Sequence, residues 1–255
     1  MIIVHDSQPR AYIKATLLSR FHRCLVMHRD DYGRTLFQDA ETLDAGQFSL
    51  QEVHELYKEA YGPVFWLLTG RQAEQLAGTI FYASRHKAED RHGLIIQALN
   101  QAVVKGIGYV LGKVSPEAGM FLNRAREVSK ELHRVKGFAR LTPLEDGDRR
   151  LMMSRVQLEH NIGDLVLKYF LRRFRGYTVV LLANGRAYYN DGNQICVANQ
   201  EDLGMELPED DFEAFWDAYY DTQWIEGRLN HQLARKHLPK KLWSWVKEGK
   251  KLDLR

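Results

Sequence analysis

The side chains best suited to moving a proton are Glu159 and His160, followed at once by Asn161. A carboxylate beside an imidazole can act as general base and orienting partner in hydrolytic or base-excision chemistry. The pair stands where a strand-like run gives way to a helical one, and amides at such a junction point outward and bind anions. A plainer use competes, because Asn161 or His160 can cap the helix that follows, and capping is the favoured of the two.

A second group lies at 225–243. Arg228 and Asn230 can bind a phosphate or a base edge, Lys240 and Lys241 can neutralise a backbone, and Trp243 and Trp245 offer flat faces for stacking. The competing arrangement is a helix that docks its aromatics in the core and leaves its lysines in water. Arg228 can equally pair with a nearby carboxylate. His133 and Arg140 flank Gly137 at an expected helix end, where glycine suits a left-handed cap and His133 suits the negative end of the helix dipole.

Charge is distributed unevenly. The formal charge is only +3, yet residues 201–226 contain ten Asp and Glu and no Lys or Arg. Positive charge gathers instead at 124–186, which includes Arg173 and Arg186, and again from Arg228 onward. One face is therefore expected to suit polyanions and another to repel them. Two cysteines make neither a four-thiolate site nor a disulfide framework, and no CxxxCxxC, G-x-x-x-x-G-K-[ST], H-E-x-x-H or G-x-S-x-G motif is present. No metal and no cofactor is expected. Apolar runs such as 64–68 and 179–183 fall well short of a membrane span, and the N-terminus has no secretory pattern, so a reducing cytoplasm is the expected setting.

The elements that must position these residues follow from local patterns. Ile2, Ile3 and Val4 predict a strand, and Ser7 with Pro9 predicts the capped start of a helix over 11–24. Ser49 and Glu52 form a capping box for a helix over 49–60. Residues 92–110 carry apolar positions at helical spacing, and Ser115-Pro116-Glu117 opens a helix to 137. Lys105-Gly106-Ile107-Gly108 serves close helix packing, since it lacks the proline of a helix-hairpin-helix turn. A hairpin of 138–144 with 151–158, a helix over 161–174, and a meander of 177–183, 187–189 and 194–198 follow, and residues 210–247 return to helix.

The expected class is α+β: an antiparallel sheet built as helix, hairpin, helix and three-stranded meander, with helices packed on it, a helical N-terminal third and a helical C-terminus. One compact unit over 1–255 is expected. Its natural subdivision is a mostly helical 1–112 and an α+β core over 113–255 that ends in a basic helix.

Three blocks carry a family resemblance. His133-Arg134-Val135-Lys136-Gly137-Phe138-Ala139-Arg140-Leu141 resembles the pattern H-R-x-x-G-F-x-R-F. Glu159-His160-Asn161-Ile162, followed by Tyr169-Phe170 and Arg173-Phe174, resembles E-P-D-H-N-I and H-F-x-x-R-F. Ile225 to Asn230 with Leu238 to Trp243 resembles I-x-x-R-x-N and M-P-K-R-Y-W. In this order and spacing they resemble a bacterial family labelled "probable DNA metabolism protein". Its members lie beside a radical S-adenosylmethionine protein of DNA modification or repair, and related domains are fused to uracil-DNA-glycosylase-like proteins. Leu158, Glu159 and Ala234 depart from the family's Pro, Asp and Gln.

The resemblance implies a nucleic-acid-associated accessory protein that works on DNA, single-stranded or damaged, with a radical S-adenosylmethionine partner. The binding residues it and the charge pattern point to are His133, Arg140, Asn161, Arg173, Arg186, Arg228, Asn230, Lys240, Lys241 and Trp243. Two alternatives stand beside it. One is a glycosylase-like enzyme that uses Glu159 and His160, and the other is an interaction scaffold whose acidic 201–226 segment docks a basic partner.

Overall fold

The computed structural model describes residues 1–33, 39–146, 149–192, 194–203, 232–233, 236, 238–243 and 245–246. The chain divides into two compact units, Met1–Lys130 and Glu131–Arg255, where the sequence pattern suggested one body or a division near residue 112. The boundary falls inside a single 23-residue helix, which is why no linker composition marks it.

In the N-terminal unit, strand β1 (Ile2–His5) is central and buried along its whole length. It pairs in parallel with β2 (Leu25–His28) on one side and β3 (Thr42–Asp44) on the other. Helix α1 (Pro9–His22) makes the crossover from β1 to β2, with Pro9 at its first position and Arg23 closing it in the left-handed conformation. Ser7 does not cap α1. The N-cap is Gln8, and the Ser7 hydroxyl is engaged elsewhere.

Helices α2 (Arg29–Tyr32), α3 (Leu50–Tyr61), α4 (Arg71–Ala83), α5 (Arg91–Lys105) and α6 (Ile107–Leu111) follow. The Ser49–Glu52 capping box on α3 forms in both directions, at 3.2 and 2.7 Å. The periodic run over 92–110 is broken at Gly106, whose φ of +88° ends α5 and starts α6. Ile3, Tyr12, Leu17, Leu76, Ile80, Ile95, Leu99 and Phe121 form a common interior. Each of the aliphatic members contributes roughly 1.5–3 kcal/mol by leaving water.

Helix α7 (Pro116–Phe138) begins where the Ser115 hydroxyl accepts from the Ala118 amide at 3.1 Å. Beyond it comes a five-stranded sheet in the order β4 (Thr142–Asp146), β5 (Arg149–Val156), β6 (Thr178–Ala183), β7 (Arg186–Asp191), β8 (Gln194–Asn199). Hairpin and meander are antiparallel as their turn residues require. The join between β5 and β6 is parallel, because α8 (Gly163–Arg173) carries the chain back to the starting edge. Asn184 and Gly185, with φ of 52° and 76°, make the tight β6–β7 turn. A short α9 (Gln200–Leu203) follows β8.

The mixed helix-and-sheet class holds, but an all-antiparallel arrangement does not. The N-terminal sheet is parallel, and the C-terminal sheet has one parallel join. Short parallel strands leave little local signature, since their hydrogen bonds are all made to distant residues. Among the described residues no helix is long and apolar enough to cross a membrane.

Candidate functional site

The loop between β5 and α8, which carries Glu159 and His160, is fixed from two sides. The carboxylate of Glu131, a buried residue of α7 with 5% exposure, accepts from the backbone amides of Glu159 and His160 at 2.5 and 3.0 Å. The Asn184 side chain accepts from the Leu158 amide at 3.2 Å and donates to its carbonyl at 2.6 Å. The outward-pointing amides expected to bind an anion thus hold the chain's own carboxylate. Neither Asn161 nor His160 caps α8, whose N-cap is Ile162 with no side-chain hydrogen bond.

Beside this loop lies a cleft of about 570 Å³. Its polar lining includes Glu131, Arg155, Gln157, Glu159 and Asn184, and Trp245 forms part of the apolar wall. The indole N–H of Trp245 is buried without an acceptor among the described residues. Glu159 is exposed and borders the cleft, whereas His160 is buried and does not line it. The two members of the expected acid–base pair therefore face different surroundings.

The other anticipated residues divide by position. His133, Arg140, Asn161, Arg173, Arg186 and Lys240 are exposed. Arg140 donates to the Gly137 carbonyl at 3.4 Å, and Gly137 itself sits within α7 rather than in a left-handed cap. Trp243 is not a stacking platform. It is buried with Leu238, Leu242 and Val246, and its indole donates to the Leu238 carbonyl at 2.9 Å. Lys240 lies over that ring at 5.7 Å, and Lys241 belongs to the same helical turn, Lys240–Leu242. This segment thus follows the alternative of aromatics inside. Arg228, Asn230 and the acidic stretch from 204 to 226 lie outside the described residues.

Cations and rings do meet at the surface along α8. The Arg173 guanidinium donates to the Tyr169 hydroxyl at 3.4 Å and stands 5.8 Å from the centre of the Phe174 ring. Lys136, in the last turn of α7, stands 5.1 Å from the Tyr169 ring. Arg172 and Arg175 are exposed beside them, and Tyr169, Phe174 and Tyr177 are half-buried. Arg173 was anticipated here, and the rest were not. The helical spacing of Tyr169, Arg172 and Arg173 was the available signal.

Residues 89–248 match the profile of a domain of unknown function, DUF4130. The chain belongs to this family. The DUF4130 region takes in α5 to α9, including the pinned loop, the cleft and the α8 surface. No curated protein matches the chain.

A third cluster, in the N-terminal unit, was not singled out from the sequence. His5 and His28 end the adjacent strands β1 and β2 in register. His92 stands in the first turn of α5, and its ring lies parallel to that of His28, 3.7 Å between centres. All three are buried, with exposures of 1, 4 and 4%. His28 Nδ1 accepts from the Asp30 amide at 3.2 Å, which leaves Nε2–H to donate to the Ser7 hydroxyl at 2.8 Å. His92 Nδ1 pairs with the Tyr12 hydroxyl, and His5 Nδ1 donates to the Asp6 carbonyl at 2.8 Å. Among the described residues, Nε2 of His5 and Nε2 of His92 are buried without a partner. Burial disfavours the imidazolium form, pushing His5 down to about 4 and His92 to about 3 and lowering His28. Burial likewise raises the Tyr12 phenol above its ordinary value.

Proposed function

We propose that this DUF4130 chain is a nucleic-acid-associated accessory protein of DNA repair or modification, acting with a radical S-adenosylmethionine protein. The observation that carries the nucleic-acid part is the α8 surface, where Lys136 and Arg173 stand against the partly open rings of Tyr169 and Phe174 and the neighbouring Arg172 and Arg175 are exposed. Bases stack on such rings while guanidinium groups displace counterions from the backbone, and the combination favours single strands or distorted duplex. Sequence composition supports the same reading, with eleven Lys and Arg against seven Asp and Glu between residues 131 and 200. The radical S-adenosylmethionine partner rests on the sequence resemblance.

The test is binding of single-stranded and duplex DNA across a salt series with the full chain. Counterion release gives a slope of log affinity on log salt of roughly −0.7 per phosphate neutralised on single strands. Joint replacement of Arg172, Arg173 and Arg175 by alanine is expected to lower the size of that slope by about 2, on the same per-phosphate rule. Absence of salt-sensitive binding to any DNA overturns the reading. The partnership is tested separately, by co-purification of the chain with a radical S-adenosylmethionine protein.

The cleft supports a second reading, in which the chain processes a damaged or modified base. Its volume of about 570 Å³ suits a nucleobase-sized ligand, and Trp245 contributes to its apolar wall beside the polar Glu131, Arg155 and Glu159. In this reading Glu159 acts at the cleft and His160 supports its loop from within. Lesion-dependent strand products that vanish in Glu159→Gln at unchanged stability favour it, and their absence from the wild-type chain excludes it.

A further inference from the structure

We propose that His28, Asp31 and His92 form a binding site for a divalent transition-metal ion, zinc by the character of its ligands. One ligand atom from each lies within 4.8 Å of the other two. Two imidazole nitrogens and a carboxylate oxygen are the donor set that zinc takes at roughly 2.0–2.2 Å, and a tetrahedral ion spaces such atoms by about 3.3 Å.

Three features point to an ion rather than to a satisfied polar core. Nε2 of His92, on a residue only 4% exposed, has no hydrogen-bond partner among the described residues. The hydroxyl of Tyr12 engages the other nitrogen of the same ring, the second contact that fixes which nitrogen of a histidine ligand offers its lone pair. Finally, the cluster stands where β1 and β2 end, and the carboxyl ends of parallel strands are where open α/β sheets bind ligands.

The present arrangement says what must move. The His28 and His92 rings lie parallel, 10° apart in plane, so their lone pairs do not converge on one point. Metal binding splays the two rings, and His28 gives up either the Ser7 hydroxyl or the Asp30 amide. Asp31 is partly exposed, so the ligand group reaches water on that side. His5 stays outside the ligand group, its ring centre 5.3 Å from that of His28. Three protein ligands leave a fourth position for water or substrate, the pattern of zinc sites that do chemistry.

The experiment uses the full chain, stripped with a chelator and then titrated with cobalt(II), whose intense visible bands report tetrahedral coordination. One equivalent is expected to bind and to be displaced by zinc. Asp31→Asn and His92→Gln are each expected to weaken binding at least tenfold, with His5→Gln close to the wild type. Zinc is expected to raise the melting temperature of the wild type and not that of Asp31→Asn. Should His92→Gln fail to fold, Asp31→Asn decides, since its side chain is partly in water. No tetrahedral cobalt signal, or equal uptake by Asp31→Asn, overturns the proposal. DNA binding tested in chelator keeps this result separate from the α8 reading.

Discussion

At the scale of single residues, two buried ionisable groups set measurable terms in stability. The Glu131 carboxylate ties α7 to the backbone amides of Glu159 and His160, and each hydrogen bond to a charged group contributes about 1.5–3 kcal/mol. Glu131→Ala is expected to lower unfolding free energy by roughly 3 kcal/mol in denaturant titration, because two largely buried amides lose a charged acceptor. His5 acts through pH. Its folded pKa of about 4 lies below the unfolded value near 6.5, so the unfolded chain takes up the proton first. Stability is therefore intact above about pH 6.5 and falls as pH drops toward 4, by about 3 kcal/mol from this group alone. Asp6, His28 and Asp31 modulate the value that burial sets, and the rings of Tyr12, His28 and His92 pack around it. In chelator, His5→Gln is expected to flatten the stability profile between pH 6.5 and 4, and a profile parallel to the wild type would contradict this. The histidine cluster was not legible beforehand because its members come from three separate places, and only the β1–β2 register brings the first two side by side.

At the scale of elements, legibility tracks how local the signal is. Pro9, the Ser49–Glu52 box, Ser115-Pro116 and the Asn184-Gly185 turn each act over a few residues, and α1, α3, α7 and the β6–β7 turn all form at them. Strands β2 and β3 were illegible, since four and three residues pairing in parallel with β1 depend wholly on a distant partner. Part of the site was readable on the same terms. Arg173 follows from helical spacing, while the burial of Trp243 depends on Phe138, a hundred positions away in the chain. Helix α8 offers a direct test of such non-local control. A Cβ at Gly163 would run into the Tyr188 ring on β7, so the helix start and the sheet touch through the missing side chain. Alanine ordinarily improves a helix by about 1 kcal/mol over glycine, but overpacking against a ring held in a sheet costs about 1–3 kcal/mol. Gly163→Ala is thus expected to destabilise, and to become neutral or stabilising when Tyr188 is also alanine. An unchanged effect in the double variant would show that the ring is not what excludes the side chain.

At the scale of the whole molecule, charge placement decides how a polyanion would meet this chain. The total of +3 conceals ten carboxylates between residues 201 and 226, all in a stretch without a single Lys or Arg. A field of that sign opposes DNA wherever the chain binds it, and its reach depends on ionic strength, about 30 Å at 0.01 M salt and about 3 Å at 1 M. Neutralising Glu209, Asp210 and Asp211 to Gln, Asn and Asn is therefore expected to tighten DNA binding at low salt, mainly through faster association. The gain should shrink steadily as salt is added. Replacing Arg172, Arg173 and Arg175 has the opposite signature, since lost phosphate contacts reduce affinity and flatten the salt dependence together. The two sets of variants separate a general field from direct contact. If neutralising the carboxylates left affinity unchanged at low salt, the acidic segment would be serving a basic partner instead, and co-purification that weakens in the same variant would identify that role.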